Sequence, residues 1–255
     1  MSAKLSFVIP VYNAAAFLEN CIGSLLVQDC PDWEAVFVDD GSTDAGAEMI
    51  ASAGDSRIRL IRQENAGPAA ARMKGVSHVD GDYIVFLDAD DRVRSDAVRL
   101  LLSAPPSDVL CFQAWKEREG KPDRLLTDRH IASPEAFADA VLSRRTLGCL
   151  WNKRFTRHLF DGNLFCPRGG YGEDRIMLVQ LVEASSSDIA FLDIPLYYYR
   201  KARPGSLTRV GRHSRKCAEG RNYMDFYRAT GKRKYLRIAV RLLLFRSPGY
   251  LFGKL

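Results

Sequence analysis

The stretch IVFLDADD, residues 84–91, joins a short apolar run to three acidic residues. Such an apolar run predicts a strand that is covered on both faces, as in a parallel sheet. The acidic residues then lie at the carboxyl end of the strand, where open α/β sheets bind their ligands. Asp88 and Asp90 offer the oxygen ligands that Mg²⁺ and Mn²⁺ prefer. Acidic pairs are also common in solvated turns, so it is the position after the strand that indicates a site.

Strand and helix patterns alternate on the N-terminal side of this stretch. Apolar strands are predicted at 5–10, 33–38 and 58–61, and helices at 15–28, 44–53 and 68–79. This alternation predicts an α/β fold with a Rossmann-like, mainly parallel sheet and helices on both faces. Asn13 follows the first strand and Asp39-Asp40 the second, so we expect these polar residues at the same edge as Asp88 and Asp90.

The C-terminal side of the stretch has a third acidic cluster. A strand is predicted at 109–115, a hairpin or surface excursion at 116–130, irregular chain at 148–175 and a strand at 189–199. Within the GYGEDR segment at 170–175, Glu173 and Asp174 open a predicted helix. They are either acids favoured by the helix dipole or a general base facing the carboxylates of the first two clusters. The residues alone leave both interpretations open.

Charge divides the chain into two parts. The net charge is +6, yet residues 200–255 hold 16 Lys and Arg against two acidic residues, while residues 1–199 are acidic overall. We therefore predict a main domain at 1–204 and a basic helical extension at 205–255. Residues 231–246 have the pattern of an amphipathic basic helix, which either lies on an anionic membrane surface or packs on the main domain. Nucleic acid is not an expected partner, because the main domain is acidic.

Targeting signals are not evident in the sequence. The N-terminal MSAKLSFVIP enters a strand pattern directly, and no apolar run reaches the roughly 18 residues of a spanning helix. We expect a cytoplasmic protein, with peripheral contact to the cytoplasmic face of the inner membrane through the basic helix.

Six motifs in order resemble the inverting glycosyltransferases of family 2, which have the GT-A fold. They are VIPVYN at 8–13, VDDGSTD at 38–44, NAGPAAAR at 65–72, DADD at 88–91, WNK at 151–153 and GED at 172–174. The resemblance runs from Leu5 to about Arg209. It implies a metal-dependent hexosyl- or hexosaminyltransferase that takes a sugar from a nucleotide-sugar donor, UDP-linked by resemblance, with Mn²⁺ or Mg²⁺.

The resemblance also assigns roles to individual positions. The donor-binding residues it implies are Pro10, Tyr12, Asn13, Asp39, Asp40, Arg72, Asp88 and Asp90. Tyr12 would stack near the base, Asp40 would contact uracil, Arg72 would lie near the base or diphosphate, and Asp90 would bind the metal. Asp174 would be the catalytic base, with Glu173, Trp151 and Lys153 on the acceptor side. The family often has Asn after the arginine of its third motif, whereas Met73 stands here, so a polar role is lost at that position.

The implied acceptor is a glycan or a lipid-linked molecule, in bacterial surface-polysaccharide or lipopolysaccharide synthesis. Two alternatives remain. A nucleotidyltransferase would need a glycine-rich basic loop after the first strand, where VYNAAAFLEN stands. A sugar-nucleotide or glycan-binding module without catalysis would be expected to lack the base or the metal pair.

Overall fold

The computed structural model describes residues 3–118, 120–167, 171–200 and 212–244. Strands and helices follow in the order β1 (Leu5–Val11), α1 (Ala15–Leu26), β2 (Trp33–Asp39), α2 (Gly46–Ala51), β3 (Ile58–Arg62), α3 (Pro68–Val76), β4 (Tyr83–Phe86), β5 (Arg92–Val93), α4 (Ala97–Ser103), β6 (Val109–Glu117), β7 (Arg124–Leu126), α5 (Pro134–Leu142), β8 (Lys153–Thr156), α6 (Glu173–Glu183), β9 (Ala190–Arg200), α7 (Arg212–Thr230) and α8 (Arg233–Leu244). A 3₁₀ turn, Arg157–Phe160, follows β8.

One sheet organises the molecule, with strand order β3-β2-β1-β4-β8-β6-β9-β5 and with β7 paired to β6. β3, β2, β1 and β4 are parallel neighbours. β8 is antiparallel to β4 and to β6, and β9 runs parallel to β6. The prediction of a mainly parallel sheet is therefore confirmed. The short strand β8 is inserted antiparallel near its centre, and β5 and β7 pair antiparallel with β9 and β6.

Two apolar clusters cover the two faces of the sheet. Side chains alternate along β1, so Val8 packs into one cluster while Phe7 and Ile9 pack into the other. The first cluster includes Phe137 of α5, and the second includes Leu18 of α1. Burial on both faces explains why the strands read as continuous apolar runs. Helices on both faces, as predicted, are confirmed.

The structure corrects the interpretation of residues 148–175 as irregular. Lys153–Thr156 form β8, which fills the gap between β4 and β6. The two-residue strand β5 pairs with β9 and was also not predicted. Both strands are too short to show a period in the sequence, so their pairing partners define them.

The C-terminal helices pack on the main domain. Tyr223, Phe226, Tyr235 and Ala239 belong to the same cluster as α5 and α6. The Tyr235 hydroxyl donates a hydrogen bond to Glu183 at 2.9 Å. Packing on the domain, one of the two predicted arrangements of the basic helix, is thus observed for α8. The predicted domain boundary at 204–205 lies outside the described residues.

In the part of the chain that the structure describes, we find no helix with the length and apolarity needed to cross a membrane.

Candidate active site

The predicted polar clusters lie at one edge of the sheet. β1, β2 and β4 are neighbouring parallel strands, so their carboxyl ends point to the same side. Tyr12 and Asn13 follow β1, Asp39 and Asp40 stand at the end of β2, and Asp88 comes just after β4. The edge therefore brings together an aromatic ring, an amide and three carboxylates from separate parts of the sequence.

The turn after β1 exposes Tyr12 and holds Asn13 in place. Asn13 has φ 46°, a left-handed conformation that asparagine tolerates better than most residues. Its side-chain oxygen accepts a hydrogen bond from the Thr43 N–H at 2.8 Å, and its N–H donates to Ser42 Oγ at 3.1 Å. Half of the Tyr12 surface is exposed, which offers a ring face for stacking, while Pro10 is half-buried. Asn13 therefore braces the turn that presents Tyr12.

Asp40 is buried and is engaged by the loop after β3. Oδ1 accepts hydrogen bonds from Gln63 Nε2 at 2.7 Å and from the Ala66 N–H at 2.8 Å. Oδ2 accepts one from the Gly67 N–H at 2.9 Å. Asp40 thus braces the backbone just before α3 through these hydrogen bonds, and its predicted contact with uracil stays a prediction.

Asp39 has fewer partners than Asp40, although it is equally buried. Oδ1 accepts a hydrogen bond from the Ser42 N–H at 2.9 Å. Oδ2 has a longer ion-pair contact, 3.6 Å from Arg62 Nε. Of the two adjacent carboxylates, Asp39 thus has more acceptor capacity left for a ligand.

Arg72 joins two of the predicted acidic clusters. It lies on α3 with 5% of its surface exposed. Its Nη2 donates to Asp88 Oδ1 at 2.9 Å, and its Nη1 donates to Asp174 Oδ1 at 2.8 Å. The planar guanidinium presents several donors in a fixed arrangement, which allows one side chain to hold two carboxylates. The structure therefore places Arg72 between these acids, where it sets their separation.

The proton affinity of the two acids at the start of α6 is raised. Burial is the main cause for Asp174, and the charge of Asp88 adds to it, whereas Arg72 opposes the rise in pKa. Burial and the charge of Asp174 raise the pKa of Glu173 to about 7. A raised pKa makes a carboxylate a better proton acceptor near neutral pH. Asp174 keeps 27% of its side chain exposed, whereas Glu173 is buried.

The carboxylates of the DADD turn differ in burial: one is buried and bonded within the protein, and two lie at the edge of the sheet. Asp91 is buried, and its oxygens accept hydrogen bonds from the Tyr197 hydroxyl at 2.6 Å and from the Arg200 N–H at 2.7 Å. The Asp88 N–H donates to the same Tyr197 hydroxyl at 3.1 Å. Asp88 and Asp90 remain half-buried at the edge. Asp91 therefore anchors the turn to β9, while Asp88 and Asp90 can reach a ligand.

The donor set of this turn fits a divalent cation that is shared with a substrate. The described residues contain no group of three or more His, Cys, Asp or Glu side chains arranged to hold a metal alone. Mg²⁺ and similar ions are usually held by one or two carboxylates together with substrate phosphates and water. Asp88 and Asp90 meet that requirement in number, in chemistry and in exposure.

Trp151 packs beneath the DADD turn. It is largely buried and stacks on Tyr197, with ring centroids 4.7 Å apart, and on Tyr199, with centroids 5.4 Å apart. Its bulk supports the tyrosine that binds Asp88 and Asp91. Any contribution of Trp151 to an acceptor pocket would thus be made mainly through its neighbours.

Lys153 is fully buried, and this corrects its prediction as an acceptor contact. Its Nζ forms an ion pair with Asp128 at 3.1 Å and donates to the Cys149 carbonyl at 3.1 Å and to Asn152 Oδ1 at 2.7 Å. An ammonium group without exposed surface has no access to an acceptor. Lys153 instead holds the start of β8 against the segment that carries Asp128.

Three supporting residues were not predicted from the sequence: Asp128, Tyr197 and Glu219, which pairs with Arg175 and Arg144. Asp128 lies in a segment that reads as charged surface, and Tyr197 is one of three consecutive tyrosines. A signal for Glu219 does exist, because it is one of two acidic residues in the basic stretch 200–255. An isolated acid among cations indicates an ion pair, although not with which partner.

A family model matches residues 6–159 and is described as Glycosyl transferase family 2. This range is more than half of the chain and includes the acidic clusters after β2 and β4. The chain belongs to glycosyltransferase family 2. The matched range ends before Glu173 and Asp174, and Asp174 is linked to the matched part of the chain by its ion pair with Arg72.

Curated relatives of this family 2 chain include two bacterial glycosyltransferases. GlyA of Streptococcus pneumoniae is 33% identical over 223 residues, which cover 81% of this chain and 32% of GlyA. EpsJ of Bacillus subtilis, named an uncharacterized glycosyltransferase, is 31% identical over 223 residues, which cover 82% of this chain and 64% of EpsJ. The family 2 chain therefore spans about a third of one relative and just under two thirds of the other.

Solved structures share the fold of this family 2 chain. Staphylococcus aureus TarS 1–349 in complex with UDP-GlcNAc aligns with a TM-score of 0.71 at 19% identity, covering 94% of this chain and 71% of that one. A mannosyltransferase from Pyrobaculum calidifontis in complex with GDP-Man and Mn²⁺ aligns with a TM-score of 0.57 at 16% identity, covering 96% and 70%. These likenesses confirm the GT-A fold that the sequence predicts.

Proposed function

We propose that this protein is an inverting glycosyltransferase that moves a sugar from a nucleotide-sugar donor, UDP-linked, to a hydroxyl group of a glycan or lipid-linked acceptor. The observation that carries the proposal is the bridge from Asp88 through Arg72 to Asp174. It unites the acidic pair suited to a donor diphosphate with a carboxylate suited to general-base catalysis.

Each carboxylate has a distinct part in the proposed reaction. Asp174 accepts the proton of the acceptor hydroxyl as its oxygen attacks the anomeric carbon from the face opposite the leaving diphosphate. The bond from the anomeric carbon to the donor oxygen breaks as the new bond forms, so the configuration inverts. Burial raises the pKa of Asp174, which suits it to receive this proton. Arg72 keeps Asp174 at a fixed position relative to Asp88.

A divalent cation, Mn²⁺ or Mg²⁺, would neutralise charge that develops on the departing diphosphate. Asp90 would hold it, with Asp88 beside it on the ribose or sugar side. Asp39 and the exposed ring of Tyr12 would bind the base. Hexosyl or hexosaminyl specificity is part of the proposal and rests on family resemblance.

The relatives support the class of substrate. TarS has been solved with UDP-GlcNAc, and the Pyrobaculum enzyme with GDP-Man and Mn²⁺. TuaG of Bacillus subtilis, 32% identical over 150 residues, is named a putative teichuronic acid biosynthesis glycosyltransferase. We therefore propose a role in bacterial surface-polysaccharide assembly, lipopolysaccharide included.

A donor screen tests this function. UDP-, GDP-, dTDP- and CMP-sugars are offered with Mn²⁺ or Mg²⁺, and release of free nucleotide is recorded with and without EDTA. We expect one donor to be hydrolysed slowly, and we expect EDTA and Asp90→Ala each to abolish that hydrolysis. Asp80→Ala is the matched control, because Asp80 is an exposed acid that precedes β4 at the opposite edge of the sheet. UDP binding without turnover under any condition would indicate a binding module instead.

We also propose that α8 contacts an anionic membrane surface, which would suit a lipid-linked acceptor. Arg233, Arg237 and Arg241 recur at four-residue spacing and are exposed. Val240 and Leu244 are exposed on the same helix, with 38% and 66% of their surface accessible. Tyr235 and Ala239 face the core, so the basic and apolar outer surface is free of the packing that holds α8.

Vesicle flotation tests the membrane proposal without removing the packed helix. The variant R233E/R237E/R241E is compared with K121E/R124E/R129E, which changes three exposed basic residues near β7. We expect the wild type and the second variant to float with phosphatidylglycerol vesicles at low salt, and the first variant to remain unbound. Equal flotation of both variants, or failure of the wild type to bind, would contradict the proposal.

A further inference from the structure

The C-terminal helix α7 supplies a buried carboxylate, Glu219, to the neighbourhood of the active site. Its Oε1 accepts a hydrogen bond from Arg175 Nη1 at 2.6 Å, and its Oε2 accepts one from Arg144 Nη2 at 2.5 Å. Arg175 immediately follows Asp174 on α6. A buried carboxylate is tolerated only when it is paired, and here two guanidinium groups share that task. Arg144 is half-exposed, whereas Arg175 lies deeper.

The backbone that precedes Asp174 also touches α7. Gly172 caps α6 with φ +84°, and a Cβ at this position would lie 2.6 Å from Glu219 Cγ. Only glycine satisfies both the backbone conformation and the close contact. Asn222, one turn further along α7, donates to the Tyr171 carbonyl at 3.1 Å. Contacts from α7 therefore lie on both sides of the Glu173-Asp174 pair.

The anchoring helix is itself fixed to the main domain. Tyr223 and Phe226 of α7 are buried in the apolar cluster that includes α6. Phe226 stacks on Phe165 with ring centroids 5.4 Å apart. Because Tyr223 and Phe226 are buried in this cluster and Phe165 is partly buried against it, α7 has little freedom to shift relative to the first turn of α6.

We infer that Glu219 is a positioning residue for transfer: through Arg175 and Gly172 it fixes the first turn of α6 and so aims Asp174 at the acceptor. The inference rests on the proposed function of Asp174 as general base. It makes the C-terminal helices part of the catalytic unit, although the family match ends at residue 159.

Glu219 pairs with Arg175 and Arg144, whereas Asp88 on the donor side is held by Arg72 and Tyr197. The partners of Asp39 and Asp40 lie in the loops after β2 and β3, and those of Asp91 in β9. Loss of Glu219 should therefore change turnover and acceptor use while the affinity for UDP is preserved. This separation distinguishes a positioning role from a general folding role.

The test compares Glu219→Gln with Asp225→Asn, a control on the same helix whose exposed carboxylate pairs with Arg228 at 2.9 Å. We expect Glu219→Gln to lower kcat about 10- to 100-fold, the effect of a displacement of about 1 Å at a catalytic group. The dissociation constant for UDP, measured by calorimetry, should stay within about twofold, and the control should match the wild type. If Glu219→Gln does not fold, Arg175→Lys takes its place. Lysine keeps the positive charge but loses the planar guanidinium that pairs with Glu219, so kcat should fall here as well.

Three results would overturn the inference. One is a kcat of Glu219→Gln within twofold of the wild type. Another is a loss of kcat that is matched by an equal loss of UDP affinity, which indicates a folding role. The third is full activity of Asp174→Asn, which removes the proposed function as well. An inactive Asp174→Asn together with a fully active Glu219→Gln would reject positioning alone and leave the proposed function intact.

Discussion

Arg72 is the residue on which the geometry of the site depends most. Its guanidinium holds Asp88 and Asp174 at 2.9 and 2.8 Å, and these acids are 16 and 102 residues away in the sequence. Each acid is a quarter exposed, so the pair is neither fully screened by water nor fully buried. The two acids carry the donor and acceptor sides of the proposed reaction, and Arg72 sets their separation.

Replacing Arg72 with lysine tests this bridge. Lysine keeps the charge but presents a compact ammonium, which cannot reproduce the fixed fork that spans both carboxylates. We expect Arg72→Lys to fold and to lose at least about tenfold in kcat. Lys74→Arg, an exposed exchange on the same helix, is the control. Steady-state kinetics with the donor found in the screen decides the point, and an unchanged kcat would show that the bridge is dispensable.

Because of Glu173, the stability of the folded protein should depend on pH. Burial and Asp174 raise its pKa to about 7, above the usual value near 4.5. Between these two values the folded protein retains a proton that the unfolded chain has lost. The free energy of unfolding should therefore fall as pH rises through this window, and level off above pH 7.

Glu173→Gln should remove this contribution, because glutamine stays neutral at every pH. We expect the variant to gain stability relative to the wild type between pH 4.5 and pH 8, by at most about 3 kcal/mol. Denaturant titrations at several pH values measure it. Glu135→Gln, an exposed acid in the first turn of α5, is the control and should show no such trend. Parallel pH profiles for wild type and Glu173→Gln would contradict the assignment.

The sequence predicted the location of Asp39, Asp88 and Asp174, because strand ends and a helix start are local features that residue patterns report. It did not predict which carboxylate of the Asp39-Asp40 pair is occupied, since the donors to Asp40 come from a loop more than 20 residues away. From the sequence, Lys153 is expected at the surface. Its burial is explained by the ion pair with Asp128, which the sequence does not reveal.

At the scale of elements, the patterns located most strands and helices but missed the short strands β5 and β8 and the long helix α7. The alternation before residue 90 is regular, because β1, β2 and β4 are buried on both faces and the helices between the strands cover those faces. β8 has four residues and depends on β4 and β6 for its hydrogen bonds, so no local pattern marks it. α7 is weakly amphipathic, since its buried residues include Glu219 and Asn222 beside the aromatic ones.

The Asp128 contacts show how β8 is held in the sheet. Its carboxylate accepts hydrogen bonds from Asn152 Nδ2 at 2.7 Å and from Thr146 Oγ1 at 2.7 Å, in addition to the ion pair with Lys153. Asp128→Asn would leave a buried ammonium without its counter-charge, which typically costs about 3–5 kcal/mol. Thermal or denaturant unfolding measures the loss. Asp123→Asn, an exposed neighbour, should be neutral, and an equally small effect at Asp128 would contradict this role.

At the scale of the whole molecule, the division of charge has a structural counterpart. The acidic edge of the sheet holds the candidate site, and the basic helices α7 and α8 pack on the main domain. Glu219 of α7 pairs with Arg175 of α6, and Tyr235 of α8 donates a hydrogen bond to Glu183 of α6. The sequence predicted a separate extension, because the change in composition is abrupt. Packing joins that extension to the main domain, which composition alone does not reveal.

Asp174→Asn tests most directly whether Asp174 is the general base of a glycosyl transfer. The measurement is kcat for transfer to the acceptor, with the dissociation constant for UDP determined on the same preparation. We predict that kcat falls by about 10²- to 10⁴-fold while UDP affinity stays near the wild-type value. A variant that binds UDP normally and turns over at close to the wild-type rate would contradict the account.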